Sequence, residues 1–119
     1  MHELGIAQQI VRIAMDSIPP EHAGTPVEAV HLRVGALTAV VPASLEFCFQ
    51  VVARDTRLAG ARLEMEQVPV VARCRACGAQ CALEAPPFVC AECGAGDLDL
   101  LSGRELLVRS IELADPEEE

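Results

Sequence analysis

Tryptophan and tyrosine are missing from this chain, and phenylalanine occurs three times. A core without large aromatics has to be filled with aliphatic side chains. Positive charge is scarce as well, with 9 basic residues against 18 acidic ones and a formal charge of -9. Such a field repels phosphate backbones, which argues against a nucleic-acid partner. No stretch approaches the roughly 18 uninterrupted apolar residues of a membrane span. The longest apolar neighbourhood, "LTAVVPASLEFCFQVVA", is broken by Pro42 and Glu46. No basic segment precedes an apolar leader, so the expectation is a cytoplasmic protein with no membrane partner. The closing "ADPEEE" reads as a solvated acidic tail.

With 119 residues and 51% hydrophobic composition, the chain is long enough for one ordinary domain with a small satellite, and can bury a core without disulfides. Leu4, Ala7, Val11, Ala14 and Ile18 recur at helical spacing, and Pro19 and Pro20 end that helix. "VEAVHLRVG" alternates as a half-buried strand, with Val30, Leu32 and Val34 on one face and Ala29, His31 and Arg33 on the other. A second helix is expected from Pro42 to about Thr56, with Leu45, Cys48, Phe49 and Val52 inward. "ARLEMEQVPVVA" reads as a second strand whose far end, at Pro69, lies at an edge or leaves the sheet. "RELLVRSIEL" reads as a third, so a cysteine-rich insert interrupts an antiparallel hairpin. The fold class is α+β: two helices packed on a small, mainly antiparallel three-stranded sheet, with an inserted four-cysteine module. The expected division is residues 1–72, then the insert 73–95, then the final strand and acidic tail 96–119.

The strongest motif is the pair "CRACG" and "CAECG". Cys74 and Cys77, then Cys90 and Cys93, form two CxxC turns separated by twelve residues, each followed by a glycine, Gly78 and Gly94. Two thiolates three positions apart can grip one ion from a tight turn, and two such turns supply a closed tetrahedron of soft ligands. That donor set suits structural Zn(II) better than iron or a redox dithiol, since redox motifs use a single CxxC near a βαβ unit. From Arg73 to Gly94 the charges of Arg73, Arg75, Glu84 and Glu92 cancel, and Phe88 is the only aromatic, so this module has no surface for nucleic acid. Cys81 does not complete a knuckle, and Cys48 belongs to the inner face of the second helix. His22 and His31 are expected to be solvated or locally hydrogen-bonded.

The amino terminus is the second candidate. A bulky His2 behind Met1 disfavours methionine removal, so an amine, an imidazole and a carboxylate stand within three residues. The Met1 amine, the His2 amide nitrogen and the His2 Nδ1 can chelate as a planar set of strong-field nitrogens, which favours Ni(II) or Cu(II). The carboxylate or the amide nitrogen of Glu3 completes the plane. Against this, Glu3 in a first helical turn is ordinary helix chemistry, and His2 can be a frayed end.

In the order of its "MHE" start, "LRVG" strand end, "SLEFCFQ" helix, paired CxxC insert and terminal "IEL", the chain resembles the HypA/HybF hydrogenase nickel-insertion accessory proteins over essentially its whole length. The resemblance implies a nickel metallochaperone and not an enzyme. It assigns Ni(II) to Met1, His2 and Glu3, and structural Zn(II) to Cys74, Cys77, Cys90 and Cys93. It also implies a HypB-type GTPase partner and delivery to the large subunit of [NiFe] hydrogenase, with some members serving urease maturation through its accessory proteins. Cys81 departs from the paired pattern and leaves ligand exchange in that loop open. The rival readings are a zinc-ribbon adaptor that carries no nickel and a thiol redox protein using Cys74 and Cys77.

Overall fold

The computed structural model describes residues 2–114, with the backbone alone at residue 2. Ten short elements follow one another, of which two α-helices and six strands build the fold: α1 (His2–Ser17), β1 (Val27–Gly35), α2 (Pro42–Ala53), β2 (Arg62–Val68), β3 (Val70–Cys74), β4 (Gln80–Leu83), β5 (Leu98–Ser102) and β6 (Leu106–Leu113). They form two three-stranded sheets, one ordered β2-β1-β6 and the other β4-β3-β5. Two compact units result, one of residues 1–32, 40–66 and 107–119, the other of residues 33–39 and 67–106. No described helix is long and apolar enough to cross a membrane.

In the first unit α1 packs on α2. The buried stripe of α1 is Ala7, Ile10, Val11, Ala14 and Ile18, and it meets Leu45, Cys48, Phe49 and Ala53 of α2 in an aliphatic core around the single fully enclosed ring of Phe49. One expected member of the stripe is misplaced: Leu4 is 40% exposed, while Glu3, at 8%, is buried instead. At 100° per residue, Leu4 falls on the margin of the stripe in the first turn, and Glu3 falls nearer its centre. Cys48 is core, as its position on the helix face required. Helix α2 ends at Ala53, short of Thr56, whose hydroxyl instead donates to the Ala53 carbonyl at 2.9 Å.

The expected hairpin is corrected by the strand order. β1 stands between β2 and β6, so the second and final strands of this sheet are not partners. The reason lies in composition. β1 buries Val27, Ala29, Val30 and Leu32, whereas β2 and β6 carry exposed charges such as Arg62, Glu64, Arg109 and Glu112. The strand that can be covered on both faces takes the middle, and charged strands blunt the edges. Ala29 is therefore buried and not outward as its alternation suggested. His31 Nε2 pairs with Glu112 at 2.5 Å, and Arg62 reaches Glu112 at 3.7 Å from the far side of β1. His31 is thus hydrogen-bonded across strands to a residue 81 positions away, and not within its own stretch of chain as expected.

Pro69 divides the expected second strand into β2 and β3, and β3 belongs to the other sheet. A residue with no N–H to give ends one ladder there, as its chemistry required. Strand β3 pairs antiparallel with β4, Val70 opposite Leu83, and with β5, Cys74 opposite Leu98; the β5 register shifts between Val71 and Ala72. Residues 33–39 join this unit through close backbone contact. Gly35 N–H donates to Glu105 O at 2.6 Å and Leu37 N–H to Gly103 O at 2.8 Å. A Cβ on Gly35 would lie 2.1 Å from Gly103 O and 2.7 Å from Arg104 N, both main-chain atoms that cannot rotate away. We expect Gly35→Ala to lower stability by about 3 kcal/mol, the upper part of the range for forced overpacking. A urea midpoint unchanged from wild type would show that the segment yields freely.

Candidate metal centre

Cys74 is the last residue of β3, so the ladder with β4 and β5 delivers its sulfur at a fixed height above the sheet end. The chain then turns on itself: Gly78 N–H donates to Cys74 O at 2.9 Å, and Cys74 N–H donates to Ala79 O at 2.8 Å. The second turn repeats the first, with Gly94 N–H to Cys90 O at 2.9 Å and Cys90 N–H to Ala95 O at 2.8 Å. Gly78 and Gly94 have φ of +79° and +77°, a region that side chains rarely tolerate. The glycine after each CxxC is thus what closes the knuckle.

The four sulfurs of Cys74, Cys77, Cys90 and Cys93 all lie within 4.8 Å of one another. Cys74 Sγ is 3.6 Å from Cys93 Sγ, and Cys77 Sγ is 3.6 Å from Cys90 Sγ, so sulfur contacts bridge the two knuckles. This is the donor set of a closed tetrahedral site with no open position, which suits a structural soft-ligand metal. Without a cation the sulfurs hold their protons unequally. Backbone N–H groups of Cys93 and Glu92 bring the Cys90 thiol down to about 6. Cys77 receives the Ala79 N–H, which favours the thiolate, yet the neighbouring sulfur of Cys90, burial, Cys93 and Cys74 push it up to about 12. A metal ion entering at neutral pH therefore has to displace a proton at Cys77.

One contributor escaped the sequence reading. Arg75, inside the first CxxC, donates from Nε to Asp99 Oδ1 at 2.8 Å, and its N–H bonds Asp97 O at 3.0 Å. The hydrogen bond to Asp99 raises the arginine further, and the same bond holds the Asp99 carboxyl below its ordinary range. The first knuckle is thereby tied to β5. The signal was present in "GDLDL", where Asp97 just precedes β5 and Asp99 lies on it, but nothing local names their partner. Cys81 lies on β4 opposite Ala72 and is not one of the four clustered sulfurs.

At the other end of the chain, Met1 lies outside the described residues, and of His2 only the helical backbone is described. Glu3 is described. Its carboxylate accepts the Val41 N–H at 3.4 Å, at the residue preceding α2. Val41 has no side-chain cap of its own to offer the helix, so a buried carboxylate from α1 stands at that helix's positive end. Sequence periodicity places Glu3 on the helix but cannot reveal a partner 38 residues away.

A family model described as "Hydrogenase/urease nickel incorporation, metallochaperone, hypA" matches residues 1–113. The hydrogenase maturation factor HypA of Desulfatibacillum aliphaticivorans is 54% identical over 118 residues, covering 99% of this chain and 91% of that protein. That of Desulfosudis oleivorans is 55% identical over 115 residues, covering 97% and 100%. Among solved structures, the solution structure of a HypA protein superimposes with a TM-score of 0.68 at 20% identity, covering 96% of this chain and 97% of the other. That of the nickel metallochaperone HypA from Helicobacter pylori gives 0.62 at 16% identity, covering 93% and 96%. At such identity these two bear on the fold, which they share. With a match that runs from the first residue through the last strand, the chain belongs to the HypA family of hydrogenase and urease nickel-incorporation metallochaperones.

Proposed function

We propose that the protein carries Ni(II) at its amino terminus, through the Met1 amine, the His2 amide nitrogen and imidazole, and Glu3. In this reading it passes the ion to the large subunit of [NiFe] hydrogenase together with a HypB-type GTPase, while Cys74, Cys77, Cys90 and Cys93 hold a structural Zn(II). A role toward urease accessory proteins is compatible with the same chemistry. The observation that carries the nickel site is that α1 opens at His2 in a chain of this family. The first amides of a helix have no acceptor within it, so they can lose a proton to a metal without breaking a ladder. For the fourth donor the geometry favours the Glu3 amide nitrogen, because the carboxylate is buried against Val41 N–H. Four nitrogens in a plane suit nickel, and a site at a chain end can release its cargo without opening a core.

The test is a nickel titration of zinc-loaded protein beside a version carrying two extra residues ahead of Met1. The native start is expected to bind one equivalent, and the extended one to lose it with zinc content unchanged. Equal loading of both would overturn the site.

A further inference from the structure

The four cysteines are alike in sequence but not in access. Cys74 and Cys90, the first of each pair, are 1% and 2% exposed, whereas Cys77 and Cys93 lie open to solvent. Each exposed cysteine has its sulfur 3.6 Å from that of a buried cysteine in the opposite knuckle: Cys93 touches Cys74, and Cys77 touches Cys90. An outward nucleophile backed by an enclosed thiol at contact distance is the arrangement that converts peroxide attack into a disulfide.

We propose that Cys77 and Cys93 are the sites at which hydrogen peroxide attacks this centre, and that Cys90 and Cys74 resolve them, forming disulfides across the knuckles and discharging the metal. The inference rests on the reading of the four cysteines as a zinc site. In the first step the Cys93 sulfur attacks one peroxide oxygen and the O–O bond breaks. The sulfur becomes a sulfenic acid, oxidised by two electrons, and the departing hydroxide takes a proton to leave as water. In the second, the Cys74 thiolate attacks the Cys93 sulfur, the S–O bond breaks, and the hydroxide again leaves as water with a proton from solvent. One peroxide and two protons are consumed for each disulfide and two waters. Zn(II) is left with two thiolates, and the same sequence at Cys77 and Cys90 removes those. Cys81, on β4 and outside the group of four, and the buried Cys48 take no part.

The experiment treats zinc-loaded protein with hydrogen peroxide, follows released zinc with a colorimetric chelator, and maps disulfides after alkylation and digestion with trypsin and a glutamate-specific protease. Cleavage after Arg75, Glu84 and Glu92 places the four cysteines on separate peptides. The expected products are Cys74–Cys93 and Cys77–Cys90, appearing in step with zinc release. Brief alkylation of the untreated zinc form is expected to label Cys77 and Cys93 ahead of Cys74 and Cys90. Disulfides within each CxxC, links through Cys81, or first labelling at Cys74 or Cys90 would overturn the inference while leaving the zinc site intact. Protein that holds no zinc when purified would instead overturn the zinc reading itself.

Discussion

Replacing His2 with alanine is expected to abolish nickel binding in the working range of a calorimetric titration, with zinc content and helical circular dichroism unchanged. The substitution deletes the imidazole that anchors the proposed chelate; an amine and amides alone do not readily lose their amide protons to nickel at neutral pH. Even the outer partners of metal ligands cost about 10- to 100-fold in affinity when removed, so loss of a ligand itself should weaken binding by at least about 100-fold. His2 opens α1 ahead of the buried stripe, whose first apolar member is Ala7, so the fold is expected to be kept. The same titration has a definite pH dependence. The imidazole and amide nitrogens bind only after giving up protons, so affinity should fall as pH drops through the histidine range and below it. An alanine variant that still takes up nickel, or a native protein with equal affinity at neutral and acid pH, would move the cargo site elsewhere. The adaptor reading would gain from either result.

Removal of the proposed structural zinc is expected to have the larger effect on folding. In the second unit the buried apolar side chains beyond the cysteines amount to Val34, Val68, Val70 and Ala72, a core too slight to order a sheet of short strands by itself. The binding free energy of a four-thiolate zinc site is comparable with the whole stability of a small domain, so with zinc held as proposed most of the stability of this unit is expected to come from the metal. Cys90→Ser, or zinc stripped by a chelator, should therefore leave β3, β4 and β5 exchanging their amides freely. The first unit, built on α1, α2 and the ring of Phe49, should keep its helices. Hydrogen exchange read by mass spectrometry separates the two outcomes by peptide. Continued protection of Val70–Cys74 in the metal-free protein would mean that the strands support themselves.

What could be read in advance follows the range of the interactions concerned. The paired CxxC turns were legible because a knuckle is a local object: six consecutive residues carry the ligands, the positive-φ glycine and both closing hydrogen bonds. The helices were legible by periodicity, and Pro69 announced a break in a ladder. Strands β4 and β5, of four and five residues inside a cysteine-rich stretch, gave no alternation strong enough to see, so the second sheet went unread. The position of β1 between β2 and β6 depends on which strand is most apolar, a comparison across the whole chain. Glu3 with Val41, and Arg75 with Asp99, are pairings between distant residues whose identities suit many partners. For the proposed nickel terminus, spacing supplied the candidate ligands, and membership of the family supplied the reason to prefer them over a frayed helix end.

The chain crosses between the two units four times, after residues 32, 39, 66 and 106, so neither is a continuous stretch. During synthesis from the amino end, the helical unit waits for its last strand, β6, until every cysteine has already left the ribosome. A nascent molecule thus presents all four cysteines of the proposed zinc site before the strand that completes its first sheet has been made. Nor does one protease cut yield two intact modules: wherever it falls, at least one of them is left in pieces.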